Sequence, residues 1–165
     1  MEIRPADVDD VEAVADLLAR SFAEYRARYT PEGYRATTRT GPELARRLTE
    51  GPTWIAVRDD VVVGTVSARV DGDALYLRSM AVLPEARGAG VGRALLATVE
   101  EHAVGLGLQR VWLSTTAVLV DAIDLYERAG FERVDRGPPD LFGTPLFAME
   151  KRLPPGQAGQ PSADA

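Results

Sequence analysis

The chain has 165 residues, 45% of them hydrophobic and 27% charged, with a net charge of −6 at pH 7. This length suits one globular domain with a substantial core, and the acidic balance argues against a nucleic-acid-binding protein, which is normally basic. The absence of cysteine excludes disulfides and thiolate chemistry, and a single histidine excludes a histidine-rich metal cage. We therefore expect no metal site.

The start of the chain, MEIRPADVDD, has neither the basic nor the apolar segment of a signal peptide. No stretch approaches the roughly 20 apolar residues of a membrane span. The sequence predicts a cytoplasmic protein that does not bind membranes.

The first half predicts two helices followed by three strands. Apolar residues at helical spacing from Val8 to Phe22 indicate the first helix, and residues 2–4 can add a short strand before it. ELARRLTEG, ending at Gly51, indicates the second helix. RARYTPEGYRATTRTGP, between the two helices, lacks periodicity and predicts a mobile polar connection. TWIAVRD, VVVGTVSARV and ALYLRSMAV are separated by Asp and Gly turns, which predicts an antiparallel meander.

The second half predicts a helix from about Gly90 to Val104, a buried strand RVWLSTT, a helix VDAIDLYERAGF and a strand pair FERV and PLFAMEKRL. The predicted order is α-α-β-β-β-α-β-α-β-β. A strand, a helix and a strand around a glycine loop imply a parallel crossover. The fold class is therefore α/β, with a mixed, mostly antiparallel central sheet and helices on both faces. We expect one domain at residues 1–152 and a disordered tail at 153–165, because PPGQAGQPSADA has little to bury.

The segment PEARGAGVGRALL, residues 84–96, carries the clearest functional signal. Glycines that lead into a helix leave backbone N–H groups open at the positive end of the helix dipole, which predicts an anion such as a phosphate. Two nucleotide motifs do not fit. The P-loop needs Gly-Lys-Ser/Thr, but the only lysine is Lys151. The dinucleotide fingerprint needs glycine at position 93 or 95, where Arg93 and Leu95 stand.

The segment resembles the acyl-coenzyme A loop of the GNAT superfamily of N-acetyltransferases, whose signature Arg/Gln-x-x-Gly-x-Gly/Ala is met by Arg87, Gly90 and Gly92. YLRSMAVLPEARGAGVGRALL looks like the family's fourth strand and third helix, and AIDLYERAGF looks like its last helix. The predicted order of elements also matches the family from about residue 2 to residue 152.

The resemblance implies an acetyl-coenzyme A-dependent N-acetyltransferase that acts on a primary amine of a small molecule or a protein, without a covalent enzyme intermediate. Coenzyme A would lie in a V-shaped opening between the strands LYLRSMAV and VWLSTT. The implied cofactor contacts are Met80, Ala81, Val82, Arg87, Gly88, Ala89, Gly90, Val91, Gly92 and Arg93. Tyr126 occupies the position of the tyrosine that protonates the departing thiolate, although its helical stripe also suits a core aromatic residue.

Two positions depart from the family pattern. Many relatives carry a glutamate where this chain has Tyr76 and an asparagine where it has Leu119. The first departure leaves the general base unassigned, with a water relay or a carboxylate such as Glu24 as options. His102 falls at the edge of a helical stripe and is interpreted as a boundary residue.

The acceptor is not specified by these motifs. The family commonly walls its acceptor site with the region between the first two helices, and arginines between Tyr25 and Arg47 either recognise an acceptor carboxylate or are simply solvated. The departures at Tyr76 and Leu119 leave a second function open, a non-catalytic acyl-coenzyme A sensor or interaction module. Transfer of a longer acyl group is a third option. Because dimers are common among relatives, a homodimer is also compatible with the resemblance.

Overall fold

A seven-stranded sheet with the strand order β1-β2-β3-β4-β5-β9-β6 forms the centre of the protein in a computed structural model that describes residues 1–155. A separate hairpin pairs β7 with β8. The strands are β1 (Glu2–Pro5), β2 (Thr53–Arg58), β3 (Val61–Asp71), β4 (Ala74–Val82), β5 (Arg110–Thr115), β6 (Glu132–Val134), β7 (Asp140–Leu141), β8 (Thr144–Pro145) and β9 (Phe147–Arg152).

Within residues 1–155, five α-helices accompany the strands. They are α1 (Val11–Phe22), α2 (Pro31–Thr37), α3 (Gly41–Arg47), α4 (Val91–Gly105) and α5 (Val120–Arg128). Short 3₁₀ turns precede α1, follow α1 and lie between β4 and α4.

Strands β2, β3 and β4 form the predicted antiparallel meander. Asp59 and Asp60 make the first turn with φ angles of +51° and +63°, and Gly72 makes the second with φ +62°. Aspartate and glycine are the residues that tolerate this left-handed backbone. The crossover from β4 through α4 to β5 is parallel, as predicted. The last strand, β9, lies between β5 and β6 and is antiparallel to both.

The two faces of the sheet carry different side chains. Leu75, Val111 and Lys151 stand in register, and Lys151 forms an ion pair with Glu100 of α4, so this face is covered by α4. Because successive residues of a strand point to opposite faces, Tyr76 and its cross-strand partners Arg69 and Trp112 face the other way. On that other face, Arg47 of α3 contacts Ser79 of β4. The predicted fold class, with helices on both faces, is confirmed.

The segment predicted as a mobile connection is instead helical, and that prediction was wrong. Thr30 caps α2 by accepting a hydrogen bond from the Gly33 N–H, and Pro31 occupies the first turn. The Thr30 hydroxyl also donates to the Phe142 carbonyl on the β7–β8 hairpin at 2.8 Å. This helix is fixed by capping and by distant contacts rather than by an apolar stripe, which is why periodicity did not reveal it.

The carboxyl end of the described chain contributes to the core. Leu153 is buried, and its N–H donates to the Gln109 carbonyl at 2.9 Å. The predicted disordered tail falls mostly on residues 156–165, which lie outside the described residues. Among residues 1–155, no helix has both the length and the apolar character that crossing a membrane requires.

Candidate active site

A bulge in β4 opens the centre of the sheet. The register between β3 and β4 shifts so that Thr65 opposes Ala81 while Ser67 opposes Arg78, which leaves two residues of β4, Ser79 and Met80, opposite the single residue Val66 of β3. Ser79 has a φ of +55°, a strained value for a residue other than glycine. Pairing between β4 and β5 is limited to residues 74–76 and 110–112. Beyond that point the β4 backbone is free of β5, in the region where the sequence predicts a V-shaped opening.

The glycine loop follows β4 and ends at the start of α4. Gly88 and Gly90 have φ angles of +82° and +83°, and a Cβ atom at either position would meet no atom within 4 Å. Backbone conformation rather than crowding therefore requires glycine here. The first hydrogen bond of α4 runs from the Ala94 N–H to the Gly90 carbonyl at 3.0 Å. The first turn of α4 contains no acidic residue, and Gly90 offers no side-chain cap.

The backbone N–H groups at the start of α4 have a geometry that suits an anion. The N–H groups of Val91, Gly92 and Arg93 precede the first hydrogen bond of the helix and have no partner inside it. The dipole of this 15-residue helix adds partial positive charge at the same end. A Cβ atom on Gly92 would lie 3.0 Å from the Leu125 side chain of α5, so this glycine also keeps α5 close to the loop.

The bulge, the glycine loop and α5 surround one open cleft of about 560 Å³, a size typical of small-molecule sites. All the sequence-predicted contact residues line it except Ala89, which is exposed outside its walls. The predicted residues in the wall are Met80, Ala81, Val82, Arg87, Gly88, Gly90, Val91, Gly92, Arg93 and Tyr126. Further wall residues are Ser21, Phe22, Tyr25, Ala86, Leu119, Asp121, Ala122, Leu125 and Arg128.

The wall residues that sequence motifs did not identify come mainly from the ends of helices. Ser21, Phe22 and Tyr25 lie at the end of α1 and in the following 3₁₀ turn, while Asp121 and Arg128 belong to α5. Tyr25 does fall in the region that the family resemblance implies for the acceptor wall. For the others, the available signal was only their place next to a predicted helix end.

Arg87 joins the loop to α1. Its guanidinium pairs with the Glu24 carboxylate at 2.5 Å and donates to the Ser21 carbonyl at 3.2 Å and the Val82 carbonyl at 3.3 Å. Part of its charge is therefore balanced, and its side chain fixes the loop against the first helix. Glu24, named above as an optional base, is occupied by this ion pair and does not line the cleft.

Tyr126 places a buried phenol at the edge of the cleft. Only 5% of the residue is exposed, and its ring packs against Phe131 with 5.8 Å between ring centroids. Burial raises its pKa well above the ordinary value of 10.0. The side chain is thus held as a neutral O–H group, which can donate a proton but does not carry charge near neutral pH.

The remaining residues considered in the sequence lie elsewhere. The ring of His102 packs edge-on against Trp54 at 5.1 Å, and His102 does not line the cleft. Tyr76 stacks on Trp112 at 4.4 Å. A second cavity, of about 370 Å³, is formed by Arg26, Tyr29, Pro31, Tyr34, Arg35 and Thr38. Of the arginines between residues 25 and 47, Arg26 and Arg35 line this second cavity, whereas Arg47 contacts Ser79 at the β4 bulge. Over the described range, no group of His, Cys, Asp and Glu side chains could hold a metal ion.

Comparisons with known proteins agree with this geometry. The Acetyltransferase (GNAT) family profile matches residues 11–131. An uncharacterized N-acetyltransferase of Escherichia coli K12, YjgM, is 30% identical over 139 residues, which cover 81% of this chain and 83% of that protein. The human N-acetylaspartate synthetase is 42% identical over 104 residues, which cover 61% of this chain but only 34% of the synthetase.

A solved structure shows the same fold. The PaiA N-acetyltransferase from Thermoplasma acidophilum, in complex with coenzyme A, superposes with a TM-score of 0.79 at 20% identity. The match covers 92% of this chain and 98% of that one. Taken together with the family profile, this likeness leads to one conclusion: the chain belongs to the GNAT family of acetyltransferases.

Proposed function

We propose that the protein transfers the acetyl group of acetyl-coenzyme A directly to a primary amine. The observation that carries the proposal is that two separate features line one cleft: the strand segment freed by the β4 bulge and the open N-terminus of α4. The first suits an extended chain that adds to a strand edge. The second suits a pyrophosphate.

The residues of the loop fit the anionic part of the donor. Gly88 and Gly90 leave open space in front of the backbone, and the first turn of α4 brings no acidic side chain into it. The N–H groups of Val91, Gly92 and Arg93 would hold the pyrophosphate. Main-chain groups of Met80 to Val82 would pair with the pantetheine arm. Arg87 would keep the loop in place through its contacts with α1.

Acetyl-coenzyme A supplies an acetyl thioester, and the residues around the bulge would act on its carbonyl group. An N–H of the segment from Met80 to Val82 would stabilise negative charge on the carbonyl oxygen. The neutral amine nitrogen forms the new C–N bond, the C–S bond breaks, and the Tyr126 hydroxyl donates its proton to the sulfur. The proton that the amine nitrogen loses returns to the Tyr126 oxygen through solvent in the open cleft, so that thiol and amide are the products. The raised pKa of Tyr126 keeps that proton in place until the thiolate forms.

The acceptor is an amine of a kind that family membership does not specify. One relative, the human synthetase, is named for the product N-acetylaspartate. Amino acids therefore belong in the set of acceptors to be tried, beside simple amines and peptide amines.

The experiment measures donor binding and chemistry separately. Acetyl-coenzyme A at a hundredfold excess over its dissociation constant should stabilise the protein by about 2.7 kcal/mol. That stabilisation corresponds to roughly 5–10 °C in Tm for a domain of this size. If acetyl-coenzyme A leaves the Tm unchanged, the protein does not bind the donor and the proposal is wrong. Release of free thiol is then followed over a panel of amines.

The second candidate function is a non-catalytic acyl-coenzyme A sensor. It is favoured by Leu119, an apolar residue in the cleft wall where many relatives carry a polar one. A thermal shift without amine-dependent thiol release across a broad panel would select the sensor.

A further inference from the structure

An arginine cluster lies on the face of the sheet opposite α4, beside the β4 bulge. It consists of Arg47 at the end of α3, Arg69 on β3 and Arg78 on β4, together with one carboxylate, Glu50. In register terms, Arg69 opposes Tyr76 and Ser67 opposes Arg78, so these side chains share one face. Three guanidinium groups thus surround a single acid.

Arg47 is the most unusual member of the cluster. The residue is only 9% exposed, and its guanidinium donates to the Ser79 hydroxyl at the bulge. Among the residues that the structure describes, no carboxylate lies within 4 Å of it. Burial, and then the neighbouring charges of Arg78 and Arg39, lower its pKa. Glu50 acts against this lowering, but its carboxylate is paired with Arg78. Because a buried charge without an ion-pair partner is costly, Arg47 is a cation that can take an anion of its own.

The neighbours of Arg47 also have unused hydrogen-bonding capacity. The Nε atoms of Arg69 and Arg78 are buried without a partner in the described part of the chain, as is the Ser114 hydroxyl across the opening on β5. Arg78 pairs with Glu50, whose side chain is 47% exposed. The guanidinium of Arg69 lies over the Tyr76 ring at 5.2 Å.

Other acids on this face do not neutralise the cluster, because they have partners of their own. Asp71 accepts from the Trp112 indole at 3.0 Å and pairs with Arg136. Glu150 pairs with Arg110 at 2.8 Å and with Arg136 at 3.4 Å. The excess positive charge therefore stays next to the bulge.

We propose that this cluster binds a carboxylate of the acceptor, so that the acceptor is an amino acid or a closely related carboxylate-bearing amine. The inference rests on the proposed acetyl transfer. Arg78 and Ser79 directly precede Met80, where the acetyl group is proposed to lie. Two residues of a strand span roughly 7 Å. The amine and the α-carboxylate of an amino acid are joined through one carbon, and hydrogen bonds of about 3 Å cover the rest of this distance. The amine then lies at the thioester and the carboxylate among the guanidinium groups, which match a carboxylate in paired hydrogen bonds.

The test compares acceptors that differ in the carboxylate. L-Aspartate and L-alanine are compared with L-alaninamide and ethylamine by acetyl-coenzyme A-dependent thiol release. Alaninamide is a strict control, because its amine loses a proton more readily than that of L-alanine. Without carboxylate recognition, alaninamide should therefore react faster than L-alanine. We expect kcat/KM to be higher for the two amino acids. Arg47→Gln should lower kcat/KM for L-aspartate by roughly 10- to 100-fold, mainly by raising KM. The kcat/KM for alaninamide should stay the same, because alaninamide has no carboxylate.

Two further variants separate recognition from folding. Arg46→Gln changes the adjacent, exposed arginine of α3 and should behave as the unmodified protein. Arg47→Lys keeps the charge and should retain part of the activity toward L-aspartate. An unchanged acetyl-coenzyme A thermal shift in Arg47→Gln shows that the fold and the donor site are intact.

The outcomes distinguish this inference from the proposed function. If alaninamide and ethylamine react as well as the amino acids, or if Arg47→Gln affects both classes equally, carboxylate recognition is wrong while acetyl transfer stands. If no amine releases thiol, acetyl transfer fails, and calorimetric titration of L-aspartate and succinate decides the inference. Binding that is lost in Arg47→Gln and kept in Arg46→Gln supports it, and no binding to the unmodified protein overturns it.

Discussion

The two sides of the β4 bulge are built in different ways. The proposed donor side consists of main-chain groups from one continuous segment, with glycines at 88 and 90 in the left-handed conformation. The proposed acceptor side consists of long side chains from α3, β3 and β4, with Arg47 buried at its centre. A site made of backbone binds what all its substrates share, whereas a site made of side chains selects among them. The bulge at Ser79 and Met80 is where the two meet.

On these proposals, donor binding and acceptor choice depend on different residues, because the arginine cluster lies beside the bulge and does not line the donor cleft. Changes to the arginine cluster should alter which acceptor is used without affecting donor binding. Changes to the glycine loop should remove donor binding for every acceptor.

The largest effect is expected from Gly90→Asp. A carboxylate would stand at the start of α4, where the donor anion is proposed to bind, so affinity for acetyl-coenzyme A should fall by more than about 100-fold. Gly107→Asp is the matched control, because Gly107 also has a positive φ, +74°, and also faces open space. Both variants carry backbone strain of about 1–2 kcal/mol. If acetyl-coenzyme A still raises the Tm of Gly90→Asp, the donor anion does not bind at the start of α4.

Tyr126→Phe should act on chemistry alone. Removing the proposed acid should lower kcat by roughly 100-fold and leave the acetyl-coenzyme A thermal shift in place. Tyr29→Phe is the control, since Tyr29 is also buried but lies outside the cleft wall. Equal turnover in the two variants would refute the role of Tyr126 and leave it as a core aromatic residue.

Glu24→Gln should have a small effect, and it should raise the affinity for acetyl-coenzyme A, whereas Gly90→Asp lowers it. The change removes a carboxylate that balances Arg87 beside the donor site. Because exposed ion pairs contribute about 0.2–1 kcal/mol, donor affinity should rise by up to about fivefold, with turnover maintained. A collapse of turnover would instead make Glu24 the general base.

The last effect concerns the stability of the protein in alkali rather than its activity. Burial raises the pKa of Tyr29 to about 12, and raises that of Tyr126 further, from an ordinary value of 10.0. Above pH 10 the folded protein therefore keeps protons that the unfolded chain has released, and stability falls as pH rises toward 12. Chemical denaturation between pH 9 and pH 12 should show a shallower fall in Tyr126→Phe. An unchanged slope would mean that the Tyr126 hydroxyl is hydrated in the cleft.

Local features of the fold were predictable from the sequence, and so was most of the donor side. The meander, the parallel crossover and the glycine loop depend on short-range periodicity and on turn residues, which a single sequence contains. Helix α2 and the β7–β8 hairpin were missed because they depend on each other: Thr30 bonds both Phe142 and Thr144.

The acceptor side was predictable only as a set of alternatives. Nine residues between Tyr25 and Arg47 are tyrosines or arginines, and nothing in their spacing separates Arg46, which is exposed, from Arg47, which is buried. That difference is set by how α3 packs against the bulge of a strand more than 30 residues later, as the Arg47–Ser79 contact illustrates. The bulge itself follows from pairing between two strands, which no local pattern encodes.

The position of β9 has a consequence for how the protein is made. β9 lies between β5 and β6, although both precede it in the chain. During synthesis, β5 and β6 must therefore wait with open edges until residues 147–152 have left the ribosome. The meander of β2, β3 and β4 is free to form earlier, from contacts close in sequence. The order of assembly should thus run from the meander of β2, β3 and β4 toward β9. A chain interrupted before β9 would expose the unpaired edges of β5 and β6, which could pair with other chains.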